Sequence, residues 1–136
     1  MSNYKLEKIE GIGPKFAEKL VKAGLTHTQH LLAKGGTAKG RKTLAAETGI
    51  EEAKILKWVN MADLMRVKGV GEEFSELLEA AGVDTVKELR TRKADNLTAK
   101  MVEINTAKKL CKRNPAAKEV TRWIDHAKTL EAAVSH

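Results

Sequence analysis

The chain has 136 residues, enough to bury one substantial hydrophobic core or two small ones that share an interface. With 42% hydrophobic and 32% charged residues and no apolar run near the roughly 20 residues that span a bilayer, the composition excludes both a membrane-spanning helix and a disordered chain. A formal net charge of +7 points to polyanionic partners, and an aromatic content of only 4% leaves little surface for stacking single-stranded bases.

The opening stretch, Met1 to Lys8, has neither the apolar run of a secretory signal nor the Arg-rich, acid-poor character of a transit peptide. Cys111 is the single cysteine and has no internal partner, which fits a structural thiol in a reducing compartment. Both features lead to an expected cytoplasmic location.

The first punctuation is Gly11-Ile12-Gly13, a turn, after which Phe16, Leu20 and Ala23 recur at helical steps until Gly24-Leu25 stops the helix. Thr26 with Gln29 predicts a capping box for a short helix, whose His27 and His30 share a face. No cysteine or third histidine lies near that pair, so no metal site is expected. Gly35 and Gly40 then have the spacing of a nucleotide phosphate loop. Arg41 nevertheless stands where lysine should directly follow glycine, and no strand precedes the segment. The same stretch reads better as a basic patch, because Lys34, Lys39, Arg41 and Lys42 have no acid among them. Thr37 is expected to cap a helix there. Lys39, Arg41 and Lys42 would then sit in its first turns, where cations oppose the helix dipole and point to a functional role. Ile55, Val59 and Ala62 carry a further helix, with Trp58 as a core anchor and Glu51-Glu52 favouring its dipole.

Gly69-Val70-Gly71 opens the second half, followed by Phe74, Leu77, Leu78 and Ala81, a stop at Gly82-Val83, and Asp84 as an expected N-cap. Lys108, Lys109, Lys112, Arg113, Lys118 and Arg122 form a second basic run whose spacings would align charges along a helix, to follow a phosphate backbone or simply to face water. Asn114-Pro115 predicts the start of the last helix, which carries Trp123.

The two halves match when the chain is shifted by 58 residues. Leu6, Gly11, Gly13, Phe16, Glu18, Leu20, Ala23, Gly24 and Leu31 fall on Leu64, Gly69, Gly71, Phe74, Glu76, Leu78, Ala81, Gly82 and Leu89. Trp58-Val59 pairs with Trp123-Ile124 at an offset of 65, so the second copy carries an insertion of about seven residues near 108–117. The expected architecture is all-α: two tandem diverged units, residues 1–62 and 63–136, each of about five helices, packed as one compact body. The basic charge is denser in the first unit, with 11 Lys and Arg against 6 Asp and Glu, than in the second, with 14 against 12.

The segments Ile9 to Leu20 and Val67 to Leu78 resemble the helix-hairpin-helix family, whose members include bacterial DNA ligase, DNA polymerase beta and the Holliday-junction branch-migration protein. Over its whole length, including Thr48-Gly49-Ile50 and Trp58 to Met65, the chain resembles a bacterial family labelled only as a domain of unknown function. The first resemblance implies sequence-independent phosphate binding by hairpin amides, carried onto Gly11, Ile12, Gly13 and Lys15, and more weakly onto Gly69, Val70 and Gly71. The second turn is followed by Glu72 and Glu73 in place of Pro14 and Lys15; their carboxylates repel phosphate, so that turn is expected to serve mainly architecture.

The expected function is therefore non-enzymatic binding of DNA, with RNA as the second candidate, through backbone phosphates. Gly11, Ile12, Gly13, Lys15, Lys39, Arg41 and Lys42 are the main contacts, and Lys108, Lys109, Lys112 and Arg113 the weaker ones. The alternative is a protein-interaction or scaffolding adaptor. Neither reading calls for a cofactor, a metal, a small-molecule substrate or a membrane.

Overall fold

In the computed structural model, which describes residues 3–136, the chain folds as α-helices joined by short turns. Met1 and Ser2, part of the N-terminal stretch and of the 1–62 unit, lie outside the described residues. A 3-10 turn, Leu6–Lys8, precedes eight helices among the described residues. These are α1 (Pro14–Lys22), α2 (Thr28–Gly35), α3 (Ala38–Thr48), α4 (Glu52–Leu64), α5 (Glu72–Ala80), α6 (Val86–Leu89), α7 (Ala94–Lys108) and α8 (Ala117–Ala127). The described residues contain no strand, only an isolated bridge between Lys5 and His27, so the all-α expectation holds.

Helix ends follow local chemistry. At the C-terminus of α1 the Leu25 N–H reaches the Leu20 carbonyl at 2.9 Å and the Gly24 N–H reaches Val21 at 2.9 Å, the paired bonds by which a left-handed glycine closes a helix. Val83→Leu78 and Gly82→Glu79 repeat them at the end of α5. The expected stops at Gly24 and Gly82 are therefore in place. Thr37 caps α3 as expected, accepting the Gly40 N–H at 3.0 Å.

The other N-caps differ from expectation. His27 and Thr85 cap α2 and α6, each one residue beyond the expected Thr26 and Asp84. At α2 the His30 imidazole, and not Gln29, reaches back to the Thr26 N–H at 3.2 Å. The last helix begins at Ala117, two residues after Pro115. The Asn114 side chain is engaged elsewhere, accepting from Asn105 at 2.9 Å, and the Glu119 carboxylate takes the Ala116 N–H at 3.0 Å. Among the described residues only the three-residue 3-10 turn precedes the first glycine turn, whereas the end of α4 stands before the second.

Two buried clusters make up the core. One gathers Leu6, Ile12, Leu20, Leu31, Leu44, Trp58 and their neighbours, and the other Leu64, Val70, Leu78, Leu89, Met101, Trp123 and theirs. α4 is buried on all sides from Trp58 to Leu64, as a helix enclosed between partners must be, and supplies both clusters. The 62/63 boundary expected from sequence falls inside this helix.

Two polar links tie the clusters together. Where α4 ends, the buried Asp63 accepts from Arg66 at 2.7 Å and from the Val86 N–H at the start of α6 at 2.8 Å. From the other end of the chain, Val134 inserts into the first cluster and the Ser135 N–H reaches the Gly36 carbonyl at 2.8 Å. The segment after α8 thus returns to the α2–α3 turn, and the whole is one compact body.

Candidate functional site

The first glycine turn is built by a short ladder: Ile9 N–H to Leu6, then Ile12 N–H to Ile9 at 3.1 Å. Gly11 sits at φ +94°, a left-handed conformation that a side chain opposes, and a Cβ there would come 3.2 Å from the Trp58 indole nitrogen. Ile12 is buried beneath the turn, and Phe16 packs edge-on against Trp58 with ring centroids 5.2 Å apart. Gly13 caps α1, whose first backbone bond is Ala17 N–H to Gly13 at 2.9 Å. Pro14 has no N–H, so the Lys15 and Phe16 amides lie in the first turn without intrahelical acceptors, at the positive end of the helix dipole.

No acid occupies that first turn. Lys15 is exposed there, and the ammonium groups of Lys54 and Lys19 stand 5.0 and 5.9 Å from the Phe16 ring centre. Lys54 was not among the residues expected from sequence. Its position one helical turn before Trp58 was the available signal, since that spacing puts both on one face of α4.

The same construction recurs 58 residues later. Val67→Leu64, Val70→Val67 and Ser75→Gly71 repeat the ladder, Gly69 has φ +92°, and a Cβ there would meet the Trp123 indole nitrogen at 3.0 Å. Phe74 and Trp123 stand 5.0 Å apart. The surroundings differ. Glu72 and Glu73 occupy the first turn of α5, and the segment between α7 and α8 lies over it. Cys111 there packs its thiol against the Glu73 carbonyl at 3.2 Å, and the Arg113 guanidinium lies 5.1 Å over the Phe74 ring. Arg113 also grips Glu119 through two bonds of 2.7 and 2.9 Å. Those bonds, with the Ala116 N–H, hold the Glu119 carboxyl down to about 2. Burial, and then the charges of Glu73 and Glu76, push the Cys111 thiol up to about 11.

Burial, and next the charge of Glu10, raises the Glu76 carboxyl, with Glu79 and Glu72 adding to the effect and Lys57 opposing it. Glu10 is therefore close enough to α5 for its charge to act on Glu76, with Lys57 opposing it, while Lys15, Lys19 and Lys54 bring cations to the first turn.

The basic patch at 34–42 is smaller than its sequence. Arg41 is a correction: it is only 5% exposed, and its guanidinium donates to the carbonyls of Gly35 at 2.9 Å, Gly36 at 3.1 Å and Ser135 at 2.7 Å. It serves as a structural cation and is closed to a phosphate. Lys34 closes the C-terminus of α1 by donating to Ala23 at 3.0 Å, as Arg92 does for α5 at Gly82. Lys39 and Lys42 stay exposed at the start of α3. Lys39 shares a cleft with Lys34, whose ammonium sits at the opposite end of α1 from Lys15, about 13 Å of helix away. Gly35 and Gly40 have their phosphate-loop spacing because a Cβ at either would clash, with Val59 at 2.8 Å in one case and the Lys34 carbonyl in the other.

The second basic run is likewise divided. α7 ends at Lys108, Lys109 turns left-handed at φ 53°, and Lys112 and Arg113 lie in irregular chain, so these four do not share the helix face expected of them. His27 and His30 have ring centres 5.8 Å apart. Among the described residues no group of three or more His, Cys, Asp or Glu gathers to hold a metal, and no helix is long and apolar enough to cross a membrane.

A family model matches residues 10–130, nearly the whole of the chain described above. The chain belongs to the family described as Domain of unknown function (DUF4332). The match takes in both DUF4332 glycine turns and both tryptophans and ends before the Val134 segment that closes the first core. No curated protein and no solved structure matches the chain.

Proposed function

We propose that this DUF4332 chain is a duplicated helix-hairpin-helix protein without enzymatic activity, and that its first hairpin binds DNA through backbone phosphates with little sequence preference. The observation that carries the reading is the start of α1. The Lys15 and Phe16 amides lack intrahelical acceptors at the positive end of the helix, with no acid in the first turn, Lys15 exposed beside them, and the Lys54 and Lys19 ammonium groups 5.0 and 5.9 Å from the Phe16 ring centre. A phosphate oxygen can accept both amides while the ammonium groups neutralise its charge, and neither contact reads a base. The duplication is supported by the backbone bonds and tryptophan contacts that recur at the two turns. In the second, Glu72 and Glu73 put two carboxylates in the first turn of α5, where they repel a phosphate, and the 109–116 segment packs Cys111 on the Glu73 carbonyl.

Anisotropy titration of the full chain with a random-sequence duplex tests the reading. Binding at about micromolar Kd near 50 mM salt that weakens steeply as salt rises supports it. No detectable binding at that salt overturns it and favours the adaptor reading.

A further inference from the structure

The second turn carries a feature distinct from the acidic start of α5. Lys68, Gly69, Glu119, Arg122, Trp123 and His126 line a cavity of about 370 Å³ on the Lys68–Gly69 side of the turn. Trp123 is its floor: the ring is buried, and its indole nitrogen leaves no room for a side chain at Gly69. The Lys68 N–H donates to His126 Nδ1 at 3.0 Å, so Nδ1 is an acceptor and the ring proton resides on Nε2, a free donor. Glu119 is the one acid on the lining, and the Arg113 fork neutralises it. Among the described residues Lys68 and Arg122 form no ion pair. Two cations and an N–H donor thus line one concavity, with the Glu119 carboxylate bonded to Arg113 and also feeling the charge of Arg122.

The charge order around the two turns is inverted. In the first, Glu10 precedes the glycines and Lys15 follows; in the second, Lys68 precedes and Glu72 and Glu73 follow. At the 65-residue offset that pairs the tryptophans, Arg122 corresponds to Lys57.

We propose that this cavity binds a phosphate group, held by the Lys68 ammonium, the Arg122 guanidinium and His126 Nε2–H. Arg122 supplies the forked donor suited to two phosphate oxygens, and Lys68 a point charge. The site stands apart from the first hairpin and does not depend on what that hairpin binds. The volume leaves space for a substituent on the phosphate, so both a monoester and a diester fit its chemistry.

The test is a proton–nitrogen NMR titration of the full chain with inorganic phosphate at fixed ionic strength. Saturable shifts at the Lys68 and Gly69 amides and the Trp123 indole N–H are expected. Arg122→Gln and Lys68→Gln should each weaken binding at least about tenfold. Lys118→Gln, an exposed cation one turn earlier on α8 and outside the lining, should leave it unchanged. Dimethyl phosphate then separates the sources: equal binding assigns the site to a phosphodiester backbone, and exclusion assigns it to a free phosphate or monoester. Absence of saturable shifts at these groups overturns the proposal. So does binding that survives Arg122→Gln in a variant whose spectrum shows it folded.

Discussion

Lys15→Gln tests the cationic first turn through its salt dependence. The structure gathers three cations there, Lys15, Lys19 and Lys54, and carries Lys39 and Lys42 on α3. Each phosphate neutralised on duplex DNA contributes about −0.9 to the slope of log K against log salt, so three cations give about −2.7. Between about 50 and 200 mM salt that slope is a loss of about 40-fold in affinity. Removing Lys15 lowers the slope to about −1.8, and the same change of salt then costs about 12-fold. Fluorescence anisotropy over a series of salt concentrations, with both proteins on one duplex, measures the two slopes. Parallel slopes refute the role of Lys15. A wild-type slope of about −4.5 that falls by about 1.8 when Lys39 and Lys42 are both changed to Gln refutes the geometry, because it recruits those two to the same strand.

Other consequences concern the frame that holds the turn. Asp63→Ala strips the buried Arg66 and the Val86 N–H of their acceptor and should cost about 3–5 kcal/mol in urea denaturation, most of it recovered on adding Arg66→Met. A loss under about 1 kcal/mol contradicts the buried pairing. Glu119 has a folded pKa of about 2 against an ordinary 4.5, so its contribution to stability is full above about pH 4.5 and fades as pH falls toward 2. Urea midpoints of wild type and Glu119→Gln should therefore differ at pH 6 and converge near pH 2; a constant gap contradicts the Arg113 fork. Cys111, with its thiol near 11 against an ordinary 9.0, should react with a disulfide reagent at pH 8 about 100-fold more slowly in the folded chain than in denaturant. Equal rates contradict its burial.

What could be read from sequence was what local backbone geometry dictates. Gly11, Gly24, Gly69 and Gly82 mark left-handed positions, and a left-handed residue between apolar periodic segments announces itself as glycine whatever lies far away. Trp58 and Trp123 were readable as anchors for a related reason, since each recurs at one place in a repeated pattern. The site's charges were less legible because long side chains choose partners across the fold. Arg41 looked free until Ser135, 94 residues away, supplied a carbonyl and closed it off. Lys34 reaches 11 residues back to cap α1, and Lys54 enters the first turn only because α4 carries it there. The shifted N-caps show the same limit at short range, where the His30 imidazole competed successfully with Gln29 for the Thr26 amide. At Asn114 the local signal for a helix start was sound, but Asn105 claimed the side chain.

The two glycine turns share one backbone geometry and differ in charge, the first helix starting without an acid in its first turn and the second on Glu72 and Glu73. A proton–nitrogen NMR titration of the full chain with a short random-sequence duplex measures the effect of that difference residue by residue. The account predicts saturable shifts at the Gly13, Lys15 and Phe16 amides, with the Glu72, Glu73 and Phe74 amides unmoved. Equal movement at the two helix starts, or movement at the second alone, contradicts it.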